Sequence, residues 1–374
     1  MALGTRPEAI KLGPLYQELR ARHDRLRVAC CLTGQHRDLV APFLEFFEIR
    51  SDYDLRIFKE DQGLFHITTS VLKGMHEILT MEQPDLVIVQ GDTTSAFAVA
   101  LAAFYLKIPV GHVEAGLRSY DRFQPYPEEA NRTFISRVSD LHFCPTQRAA
   151  QNLLTEKIPP STVFVTGNTV IDALLHTARH LDSCAEDCGL PEIDLPDQRI
   201  ILVTAHRRES FGEGLRNLSL ALLRIADTFP DVTIVYSVHP NPNVRGAVEM
   251  LLGSHKRIQV IPPPDYLNFV WLMKKAFFIV TDSGGIQEEA PSLHKPVLIA
   301  RNVTERPEAV ECGGARIVGT DQATIVREAS RLLENSEHYQ SMIVARNPFG
   351  DGQASRRIAD IVESFVSSRK AAGQ

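Results

Sequence analysis

Short runs of Val, Ile and Leu alternate with helical patterns along this chain, and they come in two series. The first comprises 26–32, 86–89, 109–113, 141–144 and 163–165. The second comprises 200–204, 232–237, 258–261, 277–281, 296–300 and 315–318. Continuous apolar runs between helices are the pattern of parallel strands buried on both faces. Two series predict two doubly wound α/β domains. A chain of 374 residues also exceeds what one core normally supports. The break falls at Thr166-Gly-Asn-Thr, followed by a helix over 170–181 and a polar surface loop over 182–198. Near the end, Ile358, Ile361, Val362 and Phe365 stand at helical spacing. The expected organisation is a first Rossmann-like domain over 1–167 and a second over 168–350. A closing helix in 351–374 returns to the first domain. The Gly4-Thr-Arg-Pro turn calls for a buried strand before it, yet only Met1, Ala2 and Leu3 stand there. A first strand trimmed at its start would weaken the centre of the first sheet, because strands usually run about five residues.

The net charge of −6 gives bulk nucleic-acid binding no electrostatic support, although a polyanion would still fit a locally basic cleft. Six cysteines form no C-x-x-C pair, and Cys184 and Cys188 lie in an acidic stretch with no histidine pair near them. Free thiols in a reducing cytosol are the expectation. No apolar run approaches a membrane span and no leader precedes the first motif, so a cytoplasmic protein is expected.

In open α/β sheets, ligands bind beyond the carboxyl ends of the strands. Asp92 follows the run 86–89, Glu114 closes 109–113, and Glu128 lies in Pro125-Tyr-Pro-Glu-Glu. Any one of these is commonly a cap or a surface charge. Three within one domain favour proton transfer, since crowding would raise at least one pKa and let acid and base forms coexist. His206 closes 200–204 and is followed by Arg207 and Arg208. It would donate a hydrogen bond to a phosphate or a proton to a leaving group, or merely cap its strand. His36 and His239 stay open as site candidates; the remaining histidines read as structural.

Two loops look built for anions. Gly4-Thr-Arg-Pro-Glu-Ala-Ile-Lys puts Arg6 and Lys11 near a helix start whose Pro7 lacks an N–H at no penalty. A solvated basic pair would look the same. Thr281-Asp-Ser-Gly-Gly follows the strongest strand of the second series. There Ser283, Gly284 and Gly285 offer backbone N–H groups to a diphosphate, and Glu289 could accept from a ribose diol. The bland reading is a tight turn with Ser283 as N-cap. Arg306 is a further anion candidate. No phosphate-binding G-x-x-x-x-G-K-[S/T] loop occurs, and Gly350-Asp-Gly-Gln-Ala-Ser follows no strand, which argues against nicotinamide chemistry. Asp52-Tyr-Asp reads as a solvated loop.

These motifs, in this order, resemble the bacterial UDP-N-acetylglucosamine 2-epimerases of the non-hydrolysing type over nearly the whole chain. Besides the motifs above, the resemblance rests on Thr33-Gly-Gln-His-Arg, Gln90-Gly-Asp-Thr, His112-Val-Glu-Ala-Gly-Leu-Arg, Pro127-Glu-Glu-Ala-Asn-Arg, Thr204-Ala-His-Arg-Arg-Glu, Thr304-Glu-Arg-Pro-Glu and Asn347-Pro-Phe-Gly-Asp-Gly. It implies a GT-B fold with the active site in the interdomain cleft and a homodimer. It also implies interconversion of UDP-GlcNAc and UDP-ManNAc without cofactor or metal, in supply of surface polysaccharide synthesis. By motif position it makes Asp92, Glu114 and Glu128 the acid/base carboxylates and places His206 near the diphosphate. Arg6, Lys11, Phe269, Ser283, Gly284, Gly285, Glu289 and Arg306 become nucleotide or phosphate contacts, and Arg132 an active-site residue. Gln35, Arg207 and His239 match a second UDP-GlcNAc site used by an activator. Asp38 and Asp61 stand where activator-dependent relatives tend to carry Gln and Arg, so strong activator dependence is not expected.

The chemistry is consistent with that implication. The C2 hydrogen of a ring-form N-acetylhexosamine is not acidic. Departure of UDP from C1 acidifies it, giving a 2-acetamidoglucal, and re-addition with protonation of the other face inverts C2. That needs proton carriers on two faces and donors for the leaving diphosphate. Alternatives remain. A hydrolysing epimerase would release free sugar, and a relative acting on a 2,3-diacetamido-uronic acid nucleotide would share most motifs. A GT-B glycosyltransferase would need an acceptor, and a nucleotide-sugar sensor would bind without turnover.

Overall fold

The computed structural model describes residues 1–34, 37–59, 62–183, 198–205, 212–238 and 242–372. The chain forms two compact units, 1–173 with 349–374, and 174–348.

In the first unit the elements follow as β1 (Ala2–Leu3), α1 (Arg6–Arg20), β2 (Cys31–Leu32), α2 (Arg37–Phe46), β3 (Tyr53–Asp54) and α3 (Leu64–Glu82). Then come β4 (Val87–Gln90), α4 (Thr94–Tyr105), β5 (Val110–Val113), α5 (Glu128–Val138), β6 (Leu141–Cys144), α6 (Gln147–Thr155), β7 (Val163–Val165) and α7 (Thr169–Ser183). All strand pairs are parallel, in two sheets ordered β1-β2-β3 and β4-β5-β6-β7. β1 lies against β4 but shares no ladder with it. Val89, Val110, Val71, Val99 and Ile135 pack into one core beneath α3, α4 and α5.

Two expectations change here. The run 26–32 pairs only over Cys31–Leu32, because β1 offers just two residues to pair with; ahead of the ladder the Met1 amino group donates to Ala29 O at 2.7 Å. Asp52-Tyr-Asp is no solvated loop. Tyr53 and Asp54 form the edge strand β3 on β2, and the Asp52 carboxylate accepts the Cys30 N–H at 2.7 Å. A three-residue polar string carries no alternation to reveal it.

The second unit runs β8 (Arg199–Thr204), α8 (Glu213–Thr228), β9 (Val232–Ser237), α9 (Pro242–Leu252), β10 (Ile258–Ile261), α10 (Tyr266–Lys275) and β11 (Ala276–Thr281). It continues through α11 (Gly284–Glu289), β12 (Val297–Ile299), α12 (Pro307–Glu311), β13 (Ala315–Ile317), α13 (Gln322–Glu334) and α14 (Ser336–Ser341). Its single parallel sheet is ordered β10-β9-β8-β11-β12-β13. The strand order therefore reverses between β8 and β11, the place where such sheets hold ligands. Ile201, Val203, Ile234, Tyr236, Phe278 and Val280 pack with Leu222 and Ile225 of α8.

The boundary between the two compact units falls inside α7. The first turns of that helix are fixed from the chain end: Asn168 N donates to Phe349 O at 2.7 Å, and the Asp172 carboxylate accepts Ser355 N at 2.7 Å and Ala354 N at 3.2 Å. The same bonds bring 349 and 350 into the first unit. The last helix, α15 (Ala354–Ala372), meets the end of α1 through Arg22, which pairs with Asp360 at 2.7 Å and Glu363 at 2.9 Å. Among the described residues no helix is long and apolar enough to cross a membrane, and no three His, Cys, Asp or Glu are grouped to hold a metal.

Candidate active site

The first unit's chemistry gathers where β1, β4 and β5 end. Glu114 follows β5 with a left-handed φ of 65°, a conformation that turns a non-glycine side chain out of the strand path and stores strain. Its carboxylate is buried and accepts from Lys11, Gln90 and Asn168. Lys11, one turn further into α1 than the Arg6 loop, donates to both oxygens at 2.7 and 2.6 Å. Gln90 at the end of β4 donates through its amide, and Asn168 donates at 3.2 Å. Asp92 sits in the turn after β4, with 27% of its side chain exposed. Arg132 of α5 pairs with it and also approaches Glu129 at 3.3 Å. Burial pushes the Asp92 carboxyl above the usual range; Arg132 opposes the rise and Glu114 adds to it.

The Asp92 turn is held from several sides. Asn131 Nδ2 donates to the Asp92 carbonyl at 3.0 Å. His112 Nε2 donates to the Gly91 carbonyl at 2.7 Å. That imidazole is fully buried, and burial lowers its pKa to about 3, so it is neutral in ordinary buffers and holds rather than carries a proton. Glu129 is buried and accepts the Ser119 and Tyr120 N–H groups, each at 3.0 Å, which folds the loop ahead of α5 onto the helix.

In the second unit, the carboxyl ends of β8 and β11 lie side by side. Thr204 and Thr281 join their hydroxyls at 2.7 Å, and Asp282 N donates to Thr204 O at 3.1 Å. Thr281 Oγ1 also accepts Ser283 N at 3.0 Å, which fixes the turn before α11. Ser283 occupies the N-cap position, but its hydroxyl makes no capping bond. Gly284 is buried and Gly285 exposed, with Arg306 near the Gly284 Cα, since a Cβ there would lie 3.8 Å from its Cζ. Arg306 pairs with the buried carboxylate of Glu288. Glu289 is also buried, and after burial itself it is the second cause raising the Tyr266 phenol well above its usual pKa. Phe269 is half-buried on α10.

The structure thus joins Lys11, Glu114, Asp92 and Arg132 in the first unit, and Ser283, Gly284, Gly285 and Arg306 in the second. Lys11 was expected beside an anion; here its ammonium rests on Glu114. Arg6 is exposed at the start of α1. Glu128 opens α5, half-buried, one residue before Glu129. It belongs to a helix start and not to a strand end. His206, Gln35, Arg207 and His239 lie outside the described residues, as does Asp61. Sequence reasoning named no role for Gln90, Asn168, Glu129, His112 or Glu8. Each lies inside a motif, and only three-dimensional contact reveals what it holds.

The family model described as UDP-N-acetylglucosamine 2-epimerase matches residues 17–363. The chain is 51% identical over 366 residues to the UDP-N-acetylglucosamine 2-epimerase of Escherichia coli K12, covering 96% of this chain and 97% of that one. It superposes on the UDP-GlcNAc 2-epimerase of Neisseria meningitidis, solved bound to UDP-GlcNAc, with TM-score 0.88 and 46% identity over 96% of this chain and 98% of that one. The Methanocaldococcus jannaschii UDP-GlcNAc 2-epimerase, solved with UDP-GlcNAc and UDP, matches with TM-score 0.78 and 35% identity over 96% and 98% of the two chains. The fold class is GT-B, with two doubly wound Rossmann-like units.

Proposed function

The chain belongs to the UDP-N-acetylglucosamine 2-epimerase family, and we propose that Asp92 and Glu114 move the C2 proton of a UDP-N-acetylhexosamine. The observation that carries this is the pair of carboxylates at the ends of β4 and β5, held in opposite electrical settings. Glu114 is surrounded by donors, one of them an ammonium; Asp92 is pushed toward its protonated form. Two carboxyls with diverging environments are the usual mark of separate acid and base roles.

In the proposed step a carboxylate takes the C2 proton. The electron pair of that C–H bond forms the C1–C2 double bond, and the C1–O bond breaks with its pair leaving on the β-phosphate of UDP. The product is a 2-acetamidoglucal. In return, a phosphate oxygen of UDP attacks C1 and a second carboxyl protonates the opposite face of C2, giving UDP-N-acetylmannosamine. Glu128, at the start of α5, is the third candidate carrier. The second unit supplies the donors for the diphosphate: the Ser283–Gly285 turn and Arg306. The step as balanced needs no redox cofactor. In the cell we propose that the product feeds surface polysaccharide synthesis. We also propose a homodimer formed on the first unit, where Phe65, Phe104, Tyr105 and Phe134 stand exposed on α3, α4 and α5. Sedimentation velocity giving a monomer at micromolar concentration would remove that part.

The test is incubation with UDP-GlcNAc in heavy water, following C2 by NMR. Deuterium should enter C2 as epimer forms. Asp92→Asn, Glu114→Gln and Glu128→Gln should each slow label entry by about 10²–10⁴-fold while UDP still binds. Epimerisation that keeps the original hydrogen, or full activity in all three amides, overturns the assignment.

A further inference from the structure

Resting on the epimerase reading, we propose that Glu8 is a positioning residue, coupling the anion-facing turn after β1 to the proton-carrying turn after β4. Glu8 is the third residue of α1 and only 2% exposed. Its Oε2 accepts the N–H groups of Gly4 and Thr5, both at 2.7 Å. A helix-start glutamate often satisfies backbone donors in this way. Glu8 does more: its Oε1 accepts the Thr93 hydroxyl at 2.6 Å, across 85 residues of chain. Thr93 is the neighbour of Asp92 and the N-cap of α4, where its oxygen also accepts Ala96 N at 3.0 Å.

What makes this tie matter is the seam it crosses. β1 and β4 lie together at the centre of the first unit without a backbone ladder. Elsewhere in both sheets, neighbouring turns are held in register by strand pairing. At this seam the carboxylate replaces that pairing. One oxygen fixes the turn that bears Arg6, and the other fixes the turn that bears Asp92. Burial pushes the Glu8 carboxyl above the usual range, and the donors from Thr93, Gly4 and Thr5 oppose the rise. A neutral amide in its place would turn an NH2 group toward one of those donors and open one side of the tie. Both Glu8 oxygens are taken up by the Gly4, Thr5 and Thr93 donors, so its effect runs through the place of Asp92. Displacements of about 1 Å at a proton carrier lower turnover by roughly 10²-fold.

The experiment compares Glu8→Gln, Thr93→Val and Thr93→Ser with the parent enzyme, by C2 deuterium entry, kcat, KM, UDP binding and thermal midpoint. Expected are losses in kcat of about 10–100-fold in Glu8→Gln and Thr93→Val with KM and UDP binding little changed. Thr93→Ser, which keeps the hydroxyl, should restore most of the rate. The double variant should be no slower than the slower single, since both cut one tie. If Glu8→Gln does not fold, the Thr93 pair still decides. Folded variants with parental kcat, or a serine variant as slow as the valine one, overturn the proposal. A parent enzyme that exchanges no deuterium at C2 defeats instead the epimerase reading on which it rests.

Discussion

The two units solve the same topological problem in different ways. In each, the strand order reverses at the centre, and the proposed site residues lie at the carboxyl ends of the strands that flank the reversal. In the second unit the flanking strands β8 and β11 pair from Ile200 to Thr204, and one threonine pair joins their carboxyl ends. In the first unit the flanking strands β1 and β4 share no ladder, and Glu8 closes the carboxyl end of the seam. The amino end opens on a cavity lined by Met1, Ala2, Leu79, Val87 and Val362. A ladder is indifferent to side chains; a seam held by named side chains is not. Point changes at the first unit's centre should therefore reach the site and the stability together, while matching changes in the second should be absorbed.

The largest effect should come from adding one methyl group to each central turn. A Cβ on Gly4 would lie 2.0 Å from Thr33 Oγ1 and 3.3 Å from Thr33 Cβ, and Thr33 is buried with little room to turn aside. Gly4→Ala should cost about 3 kcal/mol, the upper end of ordinary overpacking, and should lower kcat by disturbing the turn that Glu8 holds. On Gly284 the nearest atom to a new Cβ is 3.8 Å away, an ordinary contact. Gly284→Ala should change stability by less than about 1 kcal/mol. Urea unfolding of the two variants measures this. Equal losses would mean that the seam is no weaker than the ladder.

How much of this was legible in sequence follows the same division. The apolar runs locate the strands of the second unit, because each strand there has a full-length partner to pair with. They also point to Asp92 and Glu114, since a carboxylate just past a buried run must face the carboxyl edge of the sheet. The run 26–32 misled because pairing depends on what β1 can offer, which is two residues. Lys11 was read with Arg6 as part of an anion clamp; its contact is with Glu114, 103 residues away, and no local spacing announces that. Glu8 appeared only as a letter in a motif. Its partners Gly4 and Thr5 are local, but the bond that gives it a role runs to Thr93. Non-local side-chain ties are the part of a fold that periodicity leaves unread.

A smaller effect separates the units by pH. His112 of β5 is fully buried, and its Nε2–H holds the Gly91 carbonyl beside Asp92. Burial lowers its pKa from 6.5 to about 3, with the Gly91 bond opposing. The unfolded chain therefore takes up this proton first. The stability His112 contributes is complete above about pH 6.5 and is lost as pH falls from there toward 3, amounting to about 2 kcal/mol near pH 5. His112→Gln keeps a donor for Gly91 and never titrates. Between about pH 7.5 and 5 the variant should thus gain about 2 kcal/mol on the parent, whatever its offset at neutral pH. The raised carboxyls of Glu8 and Asp92 and the lowered His142 are present in both proteins and cancel in the difference. In the second unit His338 is also lowered, by burial first and then by Arg331 and Arg316, but no site turn hangs from it. His338→Gln should show the same sign with a smaller change and leave kcat alone. Because His112 stays neutral throughout, its grip on Gly91 should hold at every working pH. The pH profile of kcat should then match between parent and His112→Gln; a limb that moves would make His112 a proton carrier after all.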